Sequence, residues 1–214
     1  MSGGLDAVRA AAIPEAFFTV WANLFEIGAA AAGSVALIHG GASGIGSTAL
    51  WLCSEFDVRA LATAGAVDKC AAIAALGAVP INYRSENFVD AVLAQTGGQG
   101  ANVILDIVGA NYLESNIEAL AQDGYRVTIG FLGGGVAAQF DLQPLVAKRG
   151  RLTGSLLRPR GVEEKAAIAR PLREKVWPAR CRPLLHASFP LARAADAHRL
   201  LESGAVIGKV VLTV

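Results

Sequence analysis

Val35-Ala36-Leu37-Ile38-His39-Gly40-Gly41-Ala42-Ser43-Gly44-Ile45-Gly46 is the stretch of this 214-residue chain that decides how the rest is read. Four apolar residues make a short buried strand, the clustered glycines mark a turn, and Ser47 to Glu55 runs on as an Ala/Leu-rich helix. The same alternation recurs downstream. Val58 to Ala62 reads as a strand, Val67 to Leu76 as a helix, Ala78 to Asn82 as a strand and Phe88 to Thr96 as a helix. Val103 to Ile107 is then a fourth strand, Leu113 to Leu120 a helix and Tyr125 to Ile129 a fifth strand. Strands that are apolar on both faces, alternating with helices of ten or so residues, imply a parallel sheet covered on both sides. That is the doubly wound α/β class, a Rossmann-type domain.

Upstream, Ala10 to Ile27 reads as one helix, because Phe17, Val20, Trp21, Leu24 and Phe25 recur at helical spacing and Pro14 suits a first turn. Beyond Gly130 the character changes. Arg151 to Leu156 reads as a sixth strand, Val162 to Val176 as a polar helix that Pro171 should kink, and Leu184 to Phe189 as a strand. Ala192 to Glu202 then reads as a helix and Lys209 to Val214 as a closing strand.

Composition narrows the function. With 53% hydrophobic and 17% charged residues the chain can bury a real core, which excludes disorder as a description of the whole. A net charge of +1 without basic runs gives no footprint for nucleic acid or an acidic membrane face. Cys53, Cys70 and Cys181 are odd in number and far apart, so neither a disulfide framework nor a zinc knuckle is suggested, and a reducing cytoplasm fits. The start at Met1 lacks the pattern of a signal peptide. Ile27 to Ser54 carries no charged residue and is long enough to span a bilayer, but it holds six glycines and four serines, and Gly40-Gly41 and Gly44-Ile45-Gly46 cluster in its middle as a turn between two buried elements.

In a doubly wound sheet the first strand-to-helix turn takes phosphates, since small residues let the backbone approach and the helix start offers free N–H groups. Read as GxGxxG from Gly41, the middle glycine is replaced by Ser43, so the strict fingerprint is broken. Gly40-x-x-x-Gly44-x-Gly46 also occurs in short-chain dehydrogenases, which need a Tyr-x-x-x-Lys pair. Four residues after Tyr83, Tyr112 and Tyr125 stand Asn87, Asn116 and Ile129, which sets that family aside. The tip of the second strand, Leu61-Ala62-Thr63-Ala64-Gly65, has no carboxylate to hold a ribose diol. A 2′-phosphate can therefore enter, with Lys69 and Tyr83-Arg84 in reach, and NADPH is expected over NADH.

These features, with Ala12 to Trp21, Ile104 to Gly109, Phe131 to Gly134, Leu152 to Arg160 and Ile207 to Leu212, resemble the quinone oxidoreductase branch of the medium-chain dehydrogenase/reductase superfamily. The zeta-crystallin-like and p53-inducible groups are the nearest in pattern. The resemblance implies an NADPH-dependent, zinc-independent reductase of quinones or enones. It implies that Ser43, Gly44 and Ile45 hold the pyrophosphate, Lys69 and Tyr83 the 2′-phosphate, and Thr63 a place in the same cofactor site. Phe131, Leu132, Gly133, Ser155 and Leu156 would flank the nicotinamide, with Thr19 reaching its amide. No metal ligand is expected among His39, His186 and His198, and no catalytic acid is named.

The resemblance also implies a GroES-like catalytic domain before this stretch of chain. Residues 1–32 are then expected to link to that domain, 33–160 to form the dinucleotide-binding domain, and 161–214 to belong partly to the catalytic one, as its remnant. Val176-Trp177-Pro178 running directly into Ala179-Arg180-Cys181 departs from the family pattern, where more helix and a turn are usual. Two functions follow: hydride transfer to a quinone-like acceptor, or a non-catalytic NADPH-binding module. A homodimer or higher oligomer is expected in either case.

Overall fold

In the computed structural model, which describes residues 5–177 and 181–214, the chain opens with helix α1 (Ala7–Ala11) and helix α2 (Ala16–Val20). α2 continues as a π-helical stretch, Trp21–Ile27, closed by the Gly28 N–H donating to the Asn23 carbonyl at 3.0 Å. The single helix expected from Ala10 to Ile27 is thus broken at 12–15. Pro14 has no N–H to donate and disfavours a helical residue before it, and Glu15 follows with φ of 71°.

The alternation then runs β1 (Val35–Ile38), α3 (Gly44–Glu55), β2 (Arg59–Ala64), α4 (Val67–Ala75), β3 (Val79–Asn82), α5 (Phe88–Gln95) and β4 (Ala101–Asp106). It continues with α6 (Leu113–Ala119), β5 (Leu120–Thr128), α7 (Gln143–Ala147) and β6 (Arg151–Gly154). The strands form one parallel six-stranded sheet in the order β3-β2-β1-β4-β5-β6. α7, built on a Pro in its first turn, is the one helix of this series that the apolar pattern does not announce.

Period-two alternation sets the two cores. Ala36 and Ile38 face the layer holding Phe17, Leu24, Leu50 and Leu52, while Leu37 and Ile104 face the layer holding Phe88, Val92 and Leu120. All of these side chains except Phe88 are almost wholly shielded from solvent, and each of the larger ones contributes about 1.5–3 kcal/mol on burial.

After β6 come α8 (Val162–Pro171), β7 (Leu185–Pro190), α9 (Ala194–Glu202) and β8 (Lys209–Thr213). Pro171 ends the α-helical part of α8, and the chain turns π-helical over Leu172–Val176, as the position of the proline suggests. β7 and β8 pair with each other in parallel as a separate two-stranded sheet. Its start is stitched to the first turn of the main sheet by the Gly208 N–H donating to the Ala42 carbonyl at 2.8 Å. Met1–Gly4 and the expected irregularity at Pro178–Arg180 lie outside the described residues. Among the described residues no helix is long and apolar enough to cross a membrane.

Candidate functional site

The strand order reverses between β1 and β4, and the turns after those strands open a crevice at the carboxyl ends of the sheet. The glycine turn lies there. Gly40 takes φ of 71°, and the Gly41 N–H donates to the Thr63 carbonyl, tying the turn to β2. Gly46 lies against the turn itself, since a Cβ there would stand 2.2 Å from the Gly40 carbonyl oxygen. Ser43, in place of the middle glycine, caps α3: its Oγ accepts the Gly46 N–H at 3.0 Å, leaving its hydroxyl hydrogen to donate outward. The Ile45 N–H, in the first turn of α3, makes no hydrogen bond among the described residues, while the Gly44 N–H faces the Gly208 carbonyl across the Ser43–Gly208 bridge. A helix start of this kind offers donors and the positive end of the helix dipole to an anion.

Thr63 is buried, and its hydroxyl serves the turn from below. It meets His39 Nδ1 at 3.1 Å and accepts the Gly40 N–H at 3.3 Å. His39 in turn contacts Asn116 Oδ1 through Nε2 at 2.7 Å, and Phe88 and Tyr112 pack edge-on against its ring. Burial lowers the His39 pKa, with the Asn116 hydrogen bond acting in the opposite sense. This buried array, built on a histidine that the sequence reading places only as a non-ligand, fixes the turn.

At the tips of β2 and β3, Gly65, Lys69, Tyr83 and Arg84 line a pocket of about 230 Å³ closed by Ser203 to Ala205. Gly65 leaves room for the Tyr83 side chain at the strand tip, because a Cβ would meet the Tyr83 hydroxyl at 2.3 Å. Lys69 Nζ donates to the Gly204 carbonyl at 2.5 Å, and Asp68, also in the wall, turns Oδ1 to the Lys69 backbone N–H. Lys69 and Tyr83 are therefore brought together as the sequence reading requires.

On the other side of the crevice Thr19, Ser155 and Leu156 share a cleft of about 860 Å³ with Glu15, Phe18 and Arg158. Asn23, which the sequence reading missed, joins its two walls: Nδ2 donates to the Thr19 carbonyl and Oδ1 accepts from Ser155 Oγ, both at 2.8 Å. Phe131 and Leu132 stand 59% and 82% exposed, so core packing does not hold them. Gly133 is pressed against Val108 and Asn111.

A family model described as "Zinc-binding dehydrogenase" matches residues 76–212, well over half of the chain. The chain belongs to this family. A rat quinone oxidoreductase is 26% identical over 213 residues, covering 97% of this chain and 63% of that protein. A solved NAD-dependent alcohol dehydrogenase has a TM-score of 0.85 at 32% identity, covering 98% of this chain and 60% of its own. A mycobacterial protein complexed with NADPH has a TM-score of 0.86 at 26% identity, over 100% of this chain and 66% of its own. The chain thus spans about two thirds or a little less of each of these three proteins.

The family's description names zinc, and the described residues do not assemble a site for that ion. Among the described residues no three His, Cys, Asp or Glu side chains come together as ligands, and the ring nitrogens of His39 are engaged with Thr63 and Asn116. No zinc ligand is assigned to it.

Proposed function

We propose that this chain is the NADPH-binding part of an oxidoreductase that passes hydride to a quinone or enone-like acceptor. The pocket at the tips of β2 and β3 carries the proposal: two cations, Lys69 and Arg84, stand against a single carboxylate, Asp68, which is already engaged with the backbone. A 2′-phosphate would accept from Lys69 and from the Tyr83 hydroxyl through charge-assisted bonds. Ser43 and the Ile45 N–H would donate to the pyrophosphate, for which Gly44 leaves room, while Thr63 acts by holding the turn. Phe131, Leu132 and Gly133 on one side and Ser155 and Leu156 on the other would wall the nicotinamide and exclude water, with Thr19 near its amide. When bound, NADPH supplies the hydride. The likeness to a mycobacterial structure complexed with NADPH supports the reading.

Thermal unfolding with each nucleotide tests it, because a ligand that binds only the native state raises stability with its concentration over Kd. NADPH is expected to raise Tm more than NADH at equal concentration. Equal shifts, or none, would overturn the cofactor reading.

A further inference from the structure

Residues 203–208 join α9 to β8 and touch the dinucleotide-binding sheet at two places, the pocket at the tips of β2 and β3 and the glycine turn. At the far end the Gly208 N–H donates to the Ala42 carbonyl at 2.8 Å, and Gly208 forms a parallel bridge with Ser43. Lys209, the next residue, donates its backbone N–H to the Leu184 carbonyl at 2.8 Å, and its Nζ stands 3.7 Å from Glu15. That end of the segment is pinned.

The near end is held by its own turn. Ser203 Oγ donates to the Leu200 carbonyl at 2.6 Å and accepts the Ala205 N–H at 3.3 Å, so Gly204 is clasped between them at φ of 71°. This conformation aims the Gly204 carbonyl at Lys69 Nζ, 135 positions away in the chain and 2.5 Å distant. An ammonium has three N–H donors, so this bond leaves two for a ligand in the pocket. The carbonyl is uncharged and fixes the lysine without neutralising it, whereas a carboxylate in its place would repel a phosphate. A lysine free in water gives up rotamer freedom when it takes a phosphate, and one already anchored gives up little.

We propose that the Gly204 carbonyl is a specificity-determining group: it holds the Lys69 ammonium in the pocket, so that a 2′-phosphate meets a cation already in place. Selection of the cofactor is then made partly by the α9–β8 connection, outside the six-stranded sheet. This inference rests on the cofactor reading above and deepens it.

The backbone conformation at Gly204 supplies the test. A Cβ there would meet nothing within 4 Å, so a side chain fits and only the left-handed φ opposes it. Asn adopts that region readily, Ala less so, and β-branched Val least. Calorimetric titration with adenosine 2′,5′-bisphosphate and adenosine 5′-monophosphate compares the three variants with the unmodified chain. Gly204→Val is expected to weaken the bisphosphate about fivefold, the worth of one immobilised side chain, and to leave the monophosphate unchanged. Gly204→Asn is expected to stay close to the unmodified chain and Gly204→Ala to fall between, an order that is readable from Asn and Ala even if the Val variant folds poorly. In a Lys69→Ala background Gly204→Val is expected to change neither affinity, because the carbonyl acts through that side chain. An unchanged bisphosphate affinity in both Gly204→Val and Gly204→Ala, a tighter one, or a loss shared equally by the two nucleotides would each overturn the proposal. So would a loss in Gly204→Asn as large as in Gly204→Ala, or a loss that persists without Lys69. Equal binding of the two nucleotides by the unmodified chain would instead overturn the cofactor reading itself.

Discussion

Gly46 lies directly beneath Gly40: a Cβ on Gly46 would stand 2.2 Å from the Gly40 carbonyl oxygen and 2.6 Å from the Gly41 Cα. Both neighbours are backbone and cannot turn aside. At Gly44 the nearest atom to a Cβ is Lys209 Cδ, at 2.4 Å, part of a flexible side chain.

The two glycines are therefore expected to fail differently. Gly46→Ala should destabilise the fold by about 1–3 kcal/mol, as overpacking does. Gly44→Val should leave a cooperative thermal transition near that of the unmodified chain while abolishing NADPH binding, because the branched side chain crowds the phosphate approach. Circular dichroism melting beside nucleotide titration separates them. Loss of folding in Gly44→Val would show that the turn serves packing alone.

His39 gives the stability a pH dependence of known sign. Burial holds its folded-state pKa below the ordinary value of 6.5. Above that value the ring is neutral in both states and the contribution is full. As pH falls below about 6.5 the unfolded chain takes up a proton that the folded chain resists, and stability is lost. His39→Gln removes this titration. Urea unfolding at about pH 7.5 and about pH 5.5 should show a larger loss in the unmodified chain than in the variant. Equal losses would contradict the buried, neutral assignment.

The fold was legible because its signals are local. A four-residue apolar run, a glycine turn and a helix are contiguous in β1 and α3, and their repetition predicts the sheet. The pocket at the tips of β2 and β3 was half legible: Lys69 and Tyr83 follow the tips of adjacent strands, so topology alone brings them close. Long-range pairings were not. Asn23 and Ser155 meet across 132 positions, and nothing near either residue marks the other. Arg126 and Asp106 carried a faint signal, opposite charges inside neighbouring strands that read as buried, but only the register that sets Ile104 opposite Arg126 brings Asp106 within reach. The break at Pro14 was hidden by the apolar spacing around it.

The thiols should differ in reactivity. Burial pushes the Cys53 thiol up to about 12 and Cys181 likewise to about 12, so little thiolate forms at neutral pH. Cys70, half-buried on α4, is also raised, by burial first and then by Glu86 and Asp68, but it is the one the solvent reaches. Limited alkylation of the folded chain followed by peptide mass analysis should label Cys70 first. Labelling of Cys53 at a comparable rate would show that the α3 layer opens readily.

The 2′-phosphate pocket is tested most directly by nucleotide fragments that lack the nicotinamide half altogether. Calorimetric titration with adenosine 2′,5′-bisphosphate and with adenosine 5′-monophosphate isolates the contribution of the 2′-phosphate. The bisphosphate is expected to bind about tenfold or more tighter, and Lys69→Ala to remove most of that advantage, since a charge-assisted phosphate contact contributes about 1.5–3 kcal/mol. Equal affinities for the two fragments, or an advantage untouched in Lys69→Ala, would contradict the assignment of Lys69 and Tyr83 as the groups that select NADPH.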